Sequence, residues 1–82
     1  MDSLASGTVG RRLLQARRFH GLTMAALAQK ANVGAATINH IEKGRQIPGA
    51  DTIERLARAM DLDPCWLAYG TGNKPQWEKR KS

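Results

Sequence analysis

The segment at residues 21–44, GLTMAALAQKANVGAATINHIEKG, constrains the fold of this chain more than any other feature. Thr23 is a residue type that caps helices, and the helix after it would carry its apolar residues on one face: Leu27, Ala28 and Ala31. The Asn-Val-Gly sequence at 32–34 ends this helix, because Asn and Gly accept the left-handed backbone of a tight turn. A second helix then buries Ile38 and Ile41 and ends at a glycine.

Two short helices joined by such a turn form a helix-turn-helix, whose second helix enters the major groove of DNA. Ala28 supplies the small side chain that the closest approach of the two helices requires. The charge agrees, since 13 Lys+Arg against 7 Asp+Glu give +6, and residues 1–50 hold seven basic and two acidic residues. Charge alone equally fits a basic domain that binds nothing anionic, so the motif carries the prediction.

Apolar spacing predicts a further helix on each side of this motif. The first is capped by Thr8 and runs to about His20, with Gly21 as its stop. Its inward face carries Val9, Leu13, Ala16 and His20. Three arginines fall elsewhere on its surface: Arg11, Arg12 and Arg18. The helix after the motif spans roughly residues 50–60 and buries Ile53, Leu56, Ala57 and Met60.

The start of that fourth helix is open, because Gly49 can cap it and Asp51 with Glu54 has the spacing of a capping box. A fifth helix begins after Asp63, a capping acid, and ends at about Tyr69. The predicted fold class is therefore all-α, a compact bundle of five short helices at residues 8–72. Residues 1–7 are expected to be flexible.

Residues 73–82 form a basic tail that lacks helical apolar spacing, so we expect it to be disordered or loosely packed. Trp77 is the exception, since an aromatic residue in a basic tail can anchor it to a partner subunit. The tail is then either an electrostatic arm for DNA or a segment that docks on a protein partner.

Other classes of protein are disfavoured by what the sequence lacks. No apolar run reaches the length of a membrane span and no signal peptide opens the chain, so we expect a soluble, cytoplasmic protein. Because Cys65 is the single cysteine, an internal disulfide is excluded. Together with two separated histidines it supplies too few ligands for a zinc module. We expect no metal, no cofactor, no small-molecule ligand and no catalytic residue; the protein is not predicted to be an enzyme.

From Val9 to Gly72 the chain resembles the Cro/C1-type (Xre-like, lambda-repressor-like) family of helix-turn-helix proteins. The resemblance depends on several motifs in a fixed order. These are VGRRL, Arg17 four residues before the stop glycine, GLT, LAQKA, TINHIEKG, Pro48, LARAMDLDP and WLAYG. Each motif is weak alone, but the ordered set at these spacings is specific.

The resemblance implies which residues face DNA. Thr23 and Met24 lie at the amino end of helix two, where the family usually has Gln after Thr. Met24 cannot donate the hydrogen bond of that Gln, and a half-buried packing role competes with DNA contact. Base-facing positions fall on the helix at residues 34–43, at Ala35, Ala36, Asn39 and His40. The phosphate ligands implied are Thr37, Lys43, Arg45 and Gln46.

Ala35 and Ala36 cannot hydrogen-bond a base edge, but their methyl groups can contact the methyl of thymine. Asn39 can pair bidentately with adenine. The resemblance also implies a structural ion pair between Arg17 and Glu42. By the same analogy the dimer interface lies near helix five, at Trp66, Leu67 and Tyr69.

The predicted function is a sequence-specific DNA-binding transcriptional regulator, most simply a repressor that binds a palindromic operator on double-stranded DNA as a homodimer. The alternative is an antitoxin or adaptor that uses the scaffold for protein–protein interaction, with a protein partner on the tail. Met24 and the two alanines favour the alternative, and the basic front half favours DNA. With no second domain in the chain, occupancy would depend on protein concentration; long phage repressors of this type continue into a peptidase-like domain.

Overall fold

The computed structural model describes residues 8–79, and the side chains of residues 8–77. This part of the chain contains six helices and no strand: α1 (Val9–Phe19), α2 (Met24–Ala31), α3 (Ala35–Glu42), α4 (Ala50–Ala59), α5 (Pro64–Tyr69) and α6 (Gln76–Lys79). The all-α prediction is confirmed, and α6 is the one helix that the sequence did not predict. The N-terminus that was expected to be flexible, residues 1–7, lies outside the described residues.

Local side-chain chemistry begins three of the helices as predicted. The Thr8 hydroxyl accepts a hydrogen bond from the Arg11 backbone N–H at 3.3 Å, and the Thr23 hydroxyl accepts one from Ala26 at 3.0 Å. The Asp63 carboxylate accepts from the Cys65 N–H at 2.8 Å. Each cap satisfies a donor that the first turn of a helix cannot pair internally. Helix α4 has Gly49 as its N-cap, which resolves its start.

The core is formed by α1 to α5: α1 packs on α3 and α5, α2 packs on α3 and α4, and α4 packs on α5. Seven large side chains are fully buried there: Trp66, Leu13, Leu27, Ile38, Ile41, Leu56 and Leu67. The contact between α1 and α3 requires a glycine, because a Cβ on Gly10 would overlap the backbone carbonyl oxygen of Ile41. Two helices can approach so closely only where one side chain is missing.

Helix α1 differs from its predicted orientation at two residues. Arg12 was expected on the surface but is buried; its Nε donates to the Leu67 carbonyl oxygen at 2.9 Å and its Nη2 donates to that of Ala68 at 2.9 Å. These carbonyls belong to the last turn of α5, which has no helical partners for them. His20 was placed on the inward face but is exposed, because α1 ends at Phe19 and His20 lies beyond the last turn as its C-cap.

The tail was expected to be loosely packed with Trp77 as the exception; its described part contains α6, the side chain of Trp77 is packed, and Asn73, Lys74 and Gln76 are exposed. The Trp77 ring lies 4.5 Å from that of Phe19 and 5.8 Å, edge-on, from that of Trp66. The sequence missed this contact because Trp77 has no apolar neighbours at helical spacing. Trp77 therefore packs on its own domain, with its side chain half-buried. Arg80 and Lys81, which belong to the predicted basic tail, lie outside the described residues.

After α5, a turn held by Asp63 leads the chain back to the domain, where Trp77 packs. Besides capping α5, the Asp63 carboxylate accepts a hydrogen bond from the Asn73 N–H at 3.0 Å. The N–H groups of Asn73 and then Cys65 hold the pKa of Asp63 below its ordinary value. Gly72, the residue before Asn73, adopts φ +83°, and a Cβ there would come within 2.8 Å of the Asp63 carboxylate. A substitution at Gly72 would therefore be strained and crowded, which explains the glycine.

Candidate nucleic-acid interface

The two helices of the motif are joined as the sequence predicts. Asn32 caps α2 in the left-handed conformation, at φ 60° and ψ 47°, and its backbone N–H is paired to the carbonyl of Gln29. The facing sides of α2 and α3 are buried, with Ala28 and Ala31 on one helix and Ile38 on the other. Burial of this face of α3 fixes which of its residues remain open to a ligand.

The open face of α3 changes in chemistry along the helix. In the first turn Ala35 and Ala36 are both exposed, and Thr37 beside them is half-buried. One turn later Asn39 is half-buried and His40 exposed. The four residues predicted to face bases therefore lie on the side of α3 that does not pack against the domain. Methyl groups occupy its amino end and polar groups its middle.

A short turn after α3 collects the residues predicted to bind phosphate at that end. Gly44, at φ 76°, reverses the chain, and the Arg45 N–H donates to the His40 carbonyl at 2.8 Å. Lys43, Arg45 and Gln46 are all exposed along this turn. Two cationic side chains at the end of a helix whose other face is buried form a compact positive edge.

The amino end of α2 carries the other two predicted positions. Thr23 is exposed, and its hydroxyl is already engaged in capping α2. Met24 is half-buried and packs against the core, which agrees with a packing role for this side chain. A methionine here leaves any phosphate at this point to the cap hydroxyl and the backbone N–H groups.

Arg17 and Glu42 meet in a bidentate ion pair that supports the whole site. Arg17 Nε donates to Glu42 Oε2 at 2.7 Å and Nη2 donates to Oε1 at 3.0 Å, while Nη1 donates to the Leu22 carbonyl at 2.9 Å. The Arg17 and Glu42 side chains are only 14% and 4% exposed. The hydrogen bond to Glu42 raises the pKa of Arg17 above its ordinary value. One guanidinium thus holds α1, the α1–α2 turn and the end of α3 in register.

Two of the three residues predicted for the dimer interface are in the core instead. Trp66 is 2% exposed and Leu67 is 0% exposed, so their side chains offer no surface to another subunit. Helix α5 packs against α1 and α4, and Trp66 and Leu67 are its buried residues. Tyr69 is 78% exposed, and it lines a groove of about 260 Å³ together with Ile47, which is 89% exposed. Ile47 was not among the predicted interface residues, because it is an isolated aliphatic residue in a Pro/Gly loop.

Within residues 8–79, no three side chains of His, Cys, Asp or Glu lie close enough to hold a metal ion. Over the same described range no helix has the length and apolar character to cross a membrane.

Fold and site together define a helix-turn-helix domain. A family model described as helix-turn-helix (HTH_3) matches residues 13–67, which is most of the chain. The chain belongs to this family, and the resemblance to Cro/C1-type proteins is confirmed.

Relatives with known names include an immunity repressor protein of Bacillus phage phi105, 36% identical over 55 residues that cover 67% of this chain and 38% of the repressor. Among solved structures, the restriction-modification controller protein C.AhdI from Aeromonas hydrophila is 29% identical, with a TM-score of 0.69 over 72% of this chain and 89% of that one.

The master regulator for biofilm formation SinR, from Bacillus subtilis and solved in complex with DNA, is 28% identical. Its TM-score is 0.71 over 73% of this chain and 97% of that one. The chain spans about half or less of the length of the curated relatives that it matches.

Proposed function

We propose that this chain is the DNA-binding part of a transcriptional repressor that binds a palindromic operator as a homodimer, with α3 in the major groove. The observation that carries the proposal is the open face of α3. Ala35, Ala36 and His40 are exposed on it and Asn39 is half-buried, and the cationic residues Lys43 and Arg45 follow at once. The Arg17–Glu42 pair holds it rigidly. The similarity to SinR, solved in complex with DNA, supports the proposal.

In this role the residues divide into two groups. Asn39 reads a base edge, because its amide can donate to and accept from adenine in the major groove, and His40 lies beside it. Thr23, Thr37, Lys43, Arg45 and Gln46 hold phosphates and set the position of α3 on the duplex. Met24, half-buried at the start of α2, packs against the core.

We propose a homodimer because one α3 can contact only a few base pairs. A single recognition helix contacts too few base pairs to find one site in a genome, and a two-fold dimer doubles that number. The partner we propose for the apolar groove at Ile47 and Tyr69 is therefore a second copy of this chain. Both side chains are large, apolar in most of their surface, and exposed on one groove, as a self-complementary contact requires.

Replacing Asn39 with alanine should weaken binding to the operator by about 1–3 kcal/mol and relax the preference at one base pair in each half-site. Operator sequences selected from a random pool, followed by titration of each variant, measure both effects. The matched control is Lys43→Ala, which should weaken operator and random DNA alike because it removes a phosphate contact. An Asn39→Ala protein with unchanged operator affinity and preference would show that α3 is docked in another register.

Replacing Ile47 with aspartate should raise the dissociation constant of the homodimer at least about tenfold, since each copy loses a buried aliphatic side chain and gains a charge. Sedimentation velocity over a range of concentrations measures this constant. Thr71→Asp, which adds the same charge at another exposed position, is the control and should leave it unchanged. Equal constants for the Ile47→Asp and wild-type proteins would place the interface elsewhere.

A further inference from the structure

The first turn of α3 offers methyl groups to a ligand. Ala35 and Ala36 are exposed there, with no side-chain atom beyond Cβ, while Ile38 is buried in the core. The residue before them, Gly34, is the N-cap and has no side chain. Thr37 is half-buried, and a Cβ placed on Gly34 would lie 3.6 Å from its hydroxyl oxygen, so that hydroxyl is directed toward the cap.

This surface has a definite preference among base pairs. The amino-terminal residues of the second helix of a helix-turn-helix contact base edges in the major groove. Thymine displays a 5-methyl group there, the only apolar group that the four bases present in that groove. An A·T pair and a G·C pair each present three hydrogen-bonding groups in that groove, so the alanines desolvate both to a similar extent and the 5-methyl group is the difference between them.

We infer that Ala35 and Ala36 are specificity-determining residues that select a pyrimidine 5-methyl group, on thymine or on 5-methylcytosine, in each half-site of the operator. The inference rests on the proposed function and adds the chemical feature that the site recognises. Two small residues also let α3 come close to the base edges, which brings the methyl groups within van der Waals contact. Asn39, one turn further along, reads its own base pair through hydrogen bonds and is independent of the methyl.

Removing single thymine methyl groups from the operator tests the methyl recognition directly. An operator is first selected from random double-stranded DNA with the full chain. Each thymine of the half-site is then replaced by deoxyuridine, which removes one methyl and no hydrogen-bonding group. We expect about three- to fourfold weaker binding for each methyl that an alanine contacts, since one buried methyl group is removed. Cytosine and 5-methylcytosine at the same position should differ by a similar factor in favour of the methylated base.

Protein variants assign the effect to the alanines. In Ala35→Gly and Ala36→Gly the ratio of thymine to deoxyuridine affinity should fall to about one at the base pair that each residue faces. Glycine also weakens the helix, but that loss affects both DNAs and cancels in the ratio. Ala25→Gly makes the same change at an exposed position of α2 and is the control, with an unchanged ratio.

The possible outcomes separate the two proposals. If no sequence is enriched from the random pool, the proposed function is wrong and the inference falls with it. If an operator is selected but no deoxyuridine substitution weakens binding, the proposed function stands and the inference is overturned. A thymine preference that persists in both glycine variants also overturns it, because another residue then reads the methyl.

Discussion

Replacing Glu42 with alanine should lower the free energy of unfolding by about 3–5 kcal/mol, which is the usual cost of leaving one member of a buried ion pair without its partner. The Glu42 side chain is 4% exposed, and both of its oxygens accept hydrogen bonds from Arg17. Small domains have about 5–15 kcal/mol of total stability, so this loss is a large part of the whole. Urea denaturation followed by circular dichroism measures it.

The chain contains a matched control for this experiment. Asp51 and Arg55 form an ion pair with a similar Nε–Oδ2 distance of 3.0 Å, but their side chains are 78% and 40% exposed. An exposed pair contributes about 0–1 kcal/mol, so Asp51→Ala should change the unfolding midpoint little. Equal midpoints for Glu42→Ala and Asp51→Ala would show that the Arg17–Glu42 pair does not hold α1 and α3 together.

Replacing Trp77 with alanine should lower the free energy of unfolding by about 2–3 kcal/mol, less than the loss for a fully buried tryptophan because Trp77 is only half-buried. The variant loses the tilted ring contact with Phe19 and the edge contact with Trp66, and it uncovers part of the core. Thermal unfolding measures the change. Deletion after Asn73 should have an effect of similar size, since it removes the same ring.

Lys74→Ala is the control for the tail, because Lys74 is exposed and precedes α6, and it should unfold like the wild type. The homodimer dissociation constant of Trp77→Ala, measured by sedimentation on the folded protein, should equal that of the wild type. A Trp77→Ala protein with wild-type stability and a weakened dimer would show instead that this ring docks on a partner subunit.

Features that depend on neighbours in sequence were predictable. The caps at Thr8, Thr23 and Asp63 involve groups two or three residues away, and the turn at Asn32 needs only a residue that accepts a left-handed conformation. The position of α3 followed from the spacing of its apolar residues. The meeting of Arg17 and Glu42, 25 residues apart, came from family resemblance and not from periodicity.

Features that depend on distant backbone were not predictable. Arginine is ordinarily exposed, and nothing near Arg12 indicates that carbonyl groups 55 and 56 residues away will accept from it. The packing of Trp77 on its own domain was not predicted for a similar reason, because its partners Phe19 and Trp66 lie on α1 and α5. The interface prediction failed at Trp66 because an aromatic residue near the end of a small domain fits a core and an interface equally well from sequence.

The dependence of operator affinity on salt tests the central claim most directly. About three to five phosphate contacts in each subunit, from Lys43, Arg45 and neighbouring groups, give a log–log slope of roughly −5 to −9 for the dimer. The selected operator should also bind at least about a thousandfold more tightly than random DNA at physiological salt. A slope near zero, or equal affinities for the operator and random DNA, would contradict the account of this chain as a sequence-specific DNA-binding domain.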